Sequence, residues 1–170
     1  MLLDFKKYIF VFTTLFLSSC RGEDESDLQK IDQVLNIYIK NAAGKDLLNT
    51  NIPGGFTAVR AQDLNADRAL QEITGISVKK DQDTIAYVDY ATGAVRILKD
   101  SISPSQKKYH SDFYINLSKI LNKETVTDVD TVKVEYNWSP NLFQVSRVWY
   151  NNKLSFSKVE GQPNIIHIVK

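Results

Sequence analysis

The segment Thr-Val-Lys-Val-Glu-Tyr-Asn-Trp over 131–138 sets Val132, Val134, Tyr136 and Trp138 on one side of an extended chain. Thr131, Lys133, Glu135 and Asn137 fall on the other side. A period of two with one apolar side describes a half-buried strand and no helix. The pattern recurs. Leu35, Ile37 and Ile39 alternate with Asn36, Tyr38 and Lys40, and Tyr109, Phe113, Ile115 and Leu117 share one side of 109–118. In the latter region Phe113, Leu117, Ile120 and Leu121 also fit helical spacing. Segments 76–80, 84–90, 94–98, 142–150, 153–159 and 165–169 read as further strands.

Turn residues separate these segments. Asn41-Ala-Ala-Gly44, the loop Asn49-Thr-Asn-Ile-Pro-Gly-Gly55 and Ser139-Pro-Asn141 are breaks by composition. Ala91-Thr-Gly93 predicts a hairpin joining 84–90 to 94–98, and Asn151-Asn152 predicts another joining 142–150 to 153–159, because asparagine tolerates positive φ. Ala66, Ala69, Leu70 and Ile73 predict one short helix near 65–73, capped by Asp63 or Asn65. About eight short strands with frequent turns predict an all-β fold, an antiparallel β-sandwich of immunoglobulin-like or transthyretin-like architecture. The Cys…Trp…Cys spacing of immunoglobulin domains is absent.

A chain of 170 residues suffices for one domain, and its one cysteine, Cys20, cannot staple that domain internally. The formal charge is +1, and removing the first 19 residues takes away Asp4, Lys6 and Lys7 and leaves 19 charges of each sign. Such a balance gives no footing for nucleic acid. The chain opens with Lys6-Lys7, an apolar run from Tyr8 to Leu17, and Ser18-Ser19-Cys20. This is the order of a secretory signal, and the apolar run is about half of what a membrane-spanning helix needs.

Leu17-Ser18-Ser19-Cys20 resembles the lipobox of bacterial lipoproteins. The resemblance implies that residues 1–19 are a signal peptide and that Cys20 carries acyl chains. Two or three chains anchor firmly where a single chain does not. The polar run Arg21-Gly-Glu-Asp-Glu-Ser-Asp27 fits a flexible tether over 20–30 and resembles the surface-export signal of Bacteroidota lipoproteins. The expected localisation is the cell envelope at the outer membrane, with surface exposure as the further implication. Residues 31–170 form the folded domain in this reading. Its stretches 34–49, 130–136 and 148–154 are similar to small Bacteroidota lipoproteins of unassigned activity.

Candidate chemistry is sparse. Asp63-Leu-Asn65-Ala-Asp67 begins like a calcium loop but has Arg68 and Thr74 where glycine and glutamate belong. His110 and His167 have no second ligand at zinc spacing. As a strand, 109–118 puts His110 on a polar face with Asp112 and Tyr114, but no Gly-x-Ser-x-Gly elbow accompanies it. The pairs Asp81/Asp83 and Asp128/Asp130 read as solvated turn residues with structural roles. Asp83-Thr84-Ile85, Asp100-Ser101-Ile102 and Asp130-Thr131-Val132 resemble Bacteroidota O-glycosylation sites. Tyr136, Trp138, Trp149 and Tyr150 cluster on two adjacent strands and are candidate contacts for a glycan or partner. The expectation is a lipid-anchored, non-enzymatic binding or structural domain without metal or cofactor. A glycan-binding lipoprotein is the second reading and a hydrolase the third.

Overall fold

The computed structural model describes residues 28–170, which form two β-sheets packed face to face. The larger sheet contains β1 (Lys30–Asp32), β3 (Ala58–Asp63), β4 (Gln71–Glu72), β7 (Ile97–Ser103), β8 (Gln106–Leu121), β9 (Glu124–Ser139), β10 (Leu142–Tyr150) and β11 (Lys153–Ser157). Its order is β1-β10-β9-β8-β3-β4, with β11 also on the outer edge of β10 and β7 also on β8. The smaller sheet contains β2 (Leu35–Lys40), β5 (Ile76–Lys80), β6 (Ala86–Tyr90) and β12 (Ile165–Val169), in the order β12-β2-β6-β5. The sandwich is antiparallel in all its strand pairings but two, β1 with β10 and β12 with β2, which are parallel.

The core lies between the sheets. Leu35, Ile37, Ile39, Val88 and Tyr90 face Phe113, Ile115, Leu117, Val132 and Val134, all buried. Tyr90 stacks on Phe113 with centroids 4.7 Å apart. The apolar positions read from period two are therefore the inward ones, and the helical alternative for 109–121 is excluded. A long hairpin, β8–β9, forms the spine of the larger sheet, paired from Lys107↔Trp138 to Leu121↔Glu124. It turns at Asn122-Lys123, both at positive φ, as Asn151 and Asn152 are in the β10–β11 hairpin.

Three expectations are corrected. No helix forms near 65–73: Leu70 has φ 56°, which no helix accommodates, and only Ile73 of the four spaced residues is buried. Ala66 and Ala69 bring too little apolar area to hold a helix onto the sheet. The 84–90 segment does not form a hairpin with 94–98. Instead the chain crosses at Gly93–Ala94 to the larger sheet, where β7 pairs with β8. Asp130 is a buried residue inside β9 and not a solvated turn residue.

The first strand is pinned where the chain enters the domain. Lys158 Nζ donates to Asp32 Oδ2 at 2.6 Å and to Asn164 Oδ1 at 2.9 Å. Asn164 Nδ2 donates to Asp32 Oδ1 at 2.8 Å and to the Val34 carbonyl at 2.9 Å. Burial would raise the Asp32 pKa, but the Lys158 and Asn164 hydrogen bonds and nearby lysine charges outweigh it and hold the carboxyl below its ordinary value.

Candidate functional site

The outer face of the larger sheet carries a half-open groove of about 620 Å³, within the range of small-molecule sites. Cross-strand register builds it in two rows. Trp149 of β10 lies opposite Lys133 of β9, and Lys133 lies opposite Asp112 of β8. Leu64 then borders Asp112, donating its N–H to the Asp112 carbonyl at 3.0 Å. Three inter-strand steps of about 4.8 Å make this row roughly 14 Å wide. One pleat further along, Arg147 lies opposite Glu135, Glu135 opposite His110 and His110 opposite Ile97.

Glu135 sits on the solvent side of its sheet yet is 2% exposed. It is salt-bridged to Lys99 of β7 and to Arg147, whose Nη2 lies 2.9 Å from Oε2. Burial pushes the Glu135 pKa up, but the Lys99 hydrogen bond and the charges of Lys99 and Arg147 prevail and hold it below the ordinary glutamate value. The anion is covered while its partners, 44% and 47% exposed at the side chain, reach solvent. Arg147 also stands 5.3 Å from the Trp149 ring centroid, covering one side of a ring that lines the groove. Among the described residues Lys133 makes no ion pair.

A bulge aims this wall. Val145 and Val148 are both buried, so the strict alternation of β10 breaks between them, where the register with β9 shifts. Phe143 and Val145 point inward before the bulge and Val148 and Tyr150 after it, leaving Arg147 and Trp149 outside.

The four candidate aromatics therefore separate. Tyr136 and Tyr150 are core residues, 2% and 4% exposed, away from the outer-face groove, and Tyr150 borders a separate cleft with Asp130 and Lys170. Burial is the chief cause that raises both phenol pKa values far above the ordinary one. Tyr150 donates its hydroxyl to Asp130 Oδ2 at 2.7 Å. Trp138 lies at the rim of the inward face, under the Lys107 ammonium at 5.0 Å, beside a cleft it shares with Tyr109 and Phe143. Of the four, only Trp149 stands on the outer face.

The other candidates take structural places. Asp63 is buried, accepting from Asn65 N at 2.8 Å and Val95 N at 2.6 Å, and this closes turns where a calcium loop would need free oxygens. Asp81 accepts from the backbone of Asp83 and Ile85 and from the Tyr38 hydroxyl. His110 Nε2 lies 3.3 Å from Asp112 Oδ2, which also receives Asn65 Nδ2 at 3.4 Å. His110 Nδ1 is buried without a partner, and the adjacent Ser111 hydroxyl points to the other face, donating to the Val95 carbonyl at 2.8 Å. Among the described residues no hydroxyl is hydrogen-bonded to either member of the pair. The same residues contain no cluster of metal-ligating side chains. Thr84 and Ser101 are exposed, whereas Thr131 is half-buried between two buried neighbours. Cys20, with residues 1–19, lies outside the described residues.

The alternation identified the polar face of His110, Asp112 and Tyr114, which the structure forms. It did not identify Lys99, Glu135 and Arg147 as a unit, because the unit exists only through strand register. No protein-family model, curated protein or solved structure matches the chain.

Proposed function

We propose that this chain is a lipid-anchored protein of the bacterial cell envelope whose β-sandwich binds a ligand non-covalently in its outer-face groove. The groove is the observation that carries the reading: a concave surface of mixed polarity on the outer sheet face, with Trp149 and Arg147 beside each other above a covered carboxylate. Sites built on strands hold such geometry more tightly than sites on loops. The anchor is supported by Leu17-Ser18-Ser19-Cys20 after an apolar run too short to span a bilayer. A polar tether before β1 then suits a domain held off a membrane. The His110–Asp112 pair is assigned a role in shaping the groove floor.

The test is metabolic labelling with radioactive palmitate in a bacterial host, followed by membrane fractionation. The wild-type chain takes up label and sediments with membranes, and Cys20→Ser takes up none and is released. A wild-type chain that never incorporates fatty acid overturns the anchored reading.

A further inference from the structure

We infer that the groove takes an acidic saccharide, its ring stacked at Trp149 and its anionic group held by Lys133, Lys99 and Arg147. This rests on the binding-module reading and names the ligand class of the same site. Four ionic side chains line it, Lys99 and Lys133 with Asp112 and Glu135, and Arg147 flanks it, paired to Glu135 and set over the Trp149 ring. Of the two acids, Glu135 is sealed beneath its cations, and Asp112 is engaged by His110 and Asn65. The groove cation left without a carboxylate partner among the described residues is Lys133, with the Lys99 ammonium reaching solvent beside it although paired to Glu135.

Glu135 acts as a positioning residue. A buried carboxylate fixes two long cationic side chains that would otherwise be free in solvent, and so lowers the conformational entropy lost on ligand capture. Trp149 supplies a rigid aromatic face with a polar edge beside these donors, and Asn65 and Asn152 line the groove with amide donors and acceptors. A hydroxyl-rich ring bearing a carboxylate or sulfate matches this mixture. An acyl chain does not, because the floor is ionic.

The test is isothermal titration of the full lipid-bearing chain in detergent with three trisaccharide-sized probes: trigalacturonate, a chondroitin sulfate oligosaccharide and neutral maltotriose. A hexaglutamate peptide serves as the fourth. Binding of either charged sugar, weakening as salt is added, supports the proposal and identifies the anion. Trp149→Ala and Lys133→Ala each weaken it about tenfold, with far-UV circular dichroism unchanged. Should Trp149→Ala fail to fold, Trp138→Phe leaves Trp149 as the only tryptophan, and its emission must shift on titration. The proposal is overturned if no charged sugar binds, if maltotriose or hexaglutamate binds as tightly, or if Trp149 emission does not respond. Tight binding of maltotriose or hexaglutamate overturns the ligand class while the groove still binds, and palmitate labelling at Cys20 is independent of all these outcomes, so failure here is distinguishable from failure of the binding and anchored readings.

Discussion

β9 buries one carboxylate on each of its faces, and the two are satisfied by different means. Asp130, on the inward face, accepts from the Tyr150 hydroxyl and from Asn151 Nδ2, both at 2.7 Å, and pairs with Lys170 near the C-terminus. Its partners are parts of the fold: the end of β10, the hairpin turn and the last residue. Glu135, on the outward face, is held by Lys99 and Arg147, which extend into solvent. Removing an inward partner strands a polar group in the interior, while removing an outward one lets water replace it. The inward face therefore carries stability, and the outward face can carry recognition at small cost to the fold.

The largest effect expected from this contrast lies at adjacent residues of β8. Phe113 is fully buried against Tyr90, and Phe113→Ala should lower the unfolding free energy by about 3–5 kcal/mol in urea titrations. Its neighbour Tyr114 points outward, and Tyr114→Ala should cost much less. Equal losses at the two positions would break the comparison.

Next comes Asp130→Ala, which leaves the buried Tyr150 hydroxyl without its acceptor and should cost about 2–3 kcal/mol. Glu135→Gln should cost only about 1 kcal/mol, because Lys99 and Arg147 can turn to water. Acid sharpens the distinction. Burial raises the pKa of each carboxyl, but the lysine, tyrosine, asparagine and arginine contacts prevail and depress both below their ordinary values. The unfolded chain then takes up protons first as pH falls. The stability these groups contribute is complete above about pH 5 and is lost as pH drops through the folded values. Thermal melts from about pH 5 downward should fall steeply for the wild type and less steeply for Asp130→Asn, with Glu135→Gln giving the smaller flattening.

How far this could be read from the sequence follows the same division. Val132, Val134 and Tyr136 announced their face because burial needs only a period of two. β3 was missed, since Ala-Val-Arg-Ala-Gln-Asp has two alanines and one valine for apolar content, and its place was decided by pairing with β8. The hairpin expected at Ala91–Gly93 lost to a crossover that buries Ala94 between the sheets. Trp149 was grouped with Tyr136 and Tyr150, and a bulge of one residue in β10 turned it to the opposite face. The charged unit beneath it joins β7, β9 and β10, and no spacing within one strand encodes that meeting.

The smallest effect is expected at the centre of the groove, and it is the most discriminating. Lys133 lies between Trp149 and Asp112 in the first row, half-buried and without an ion pair among the described residues. Nothing in the fold depends on its ammonium. Lys133→Ala should change the unfolding free energy by no more than about 0.5 kcal/mol, as for surface positions in general. The same substitution removes a cation that no carboxylate engages, so a charged ligand should feel its loss far more than the fold does. A destabilisation comparable to that of Asp130→Ala, measured in the same urea titration, would show that the outward face also bears the fold, and the division between the two faces of β9 would fail.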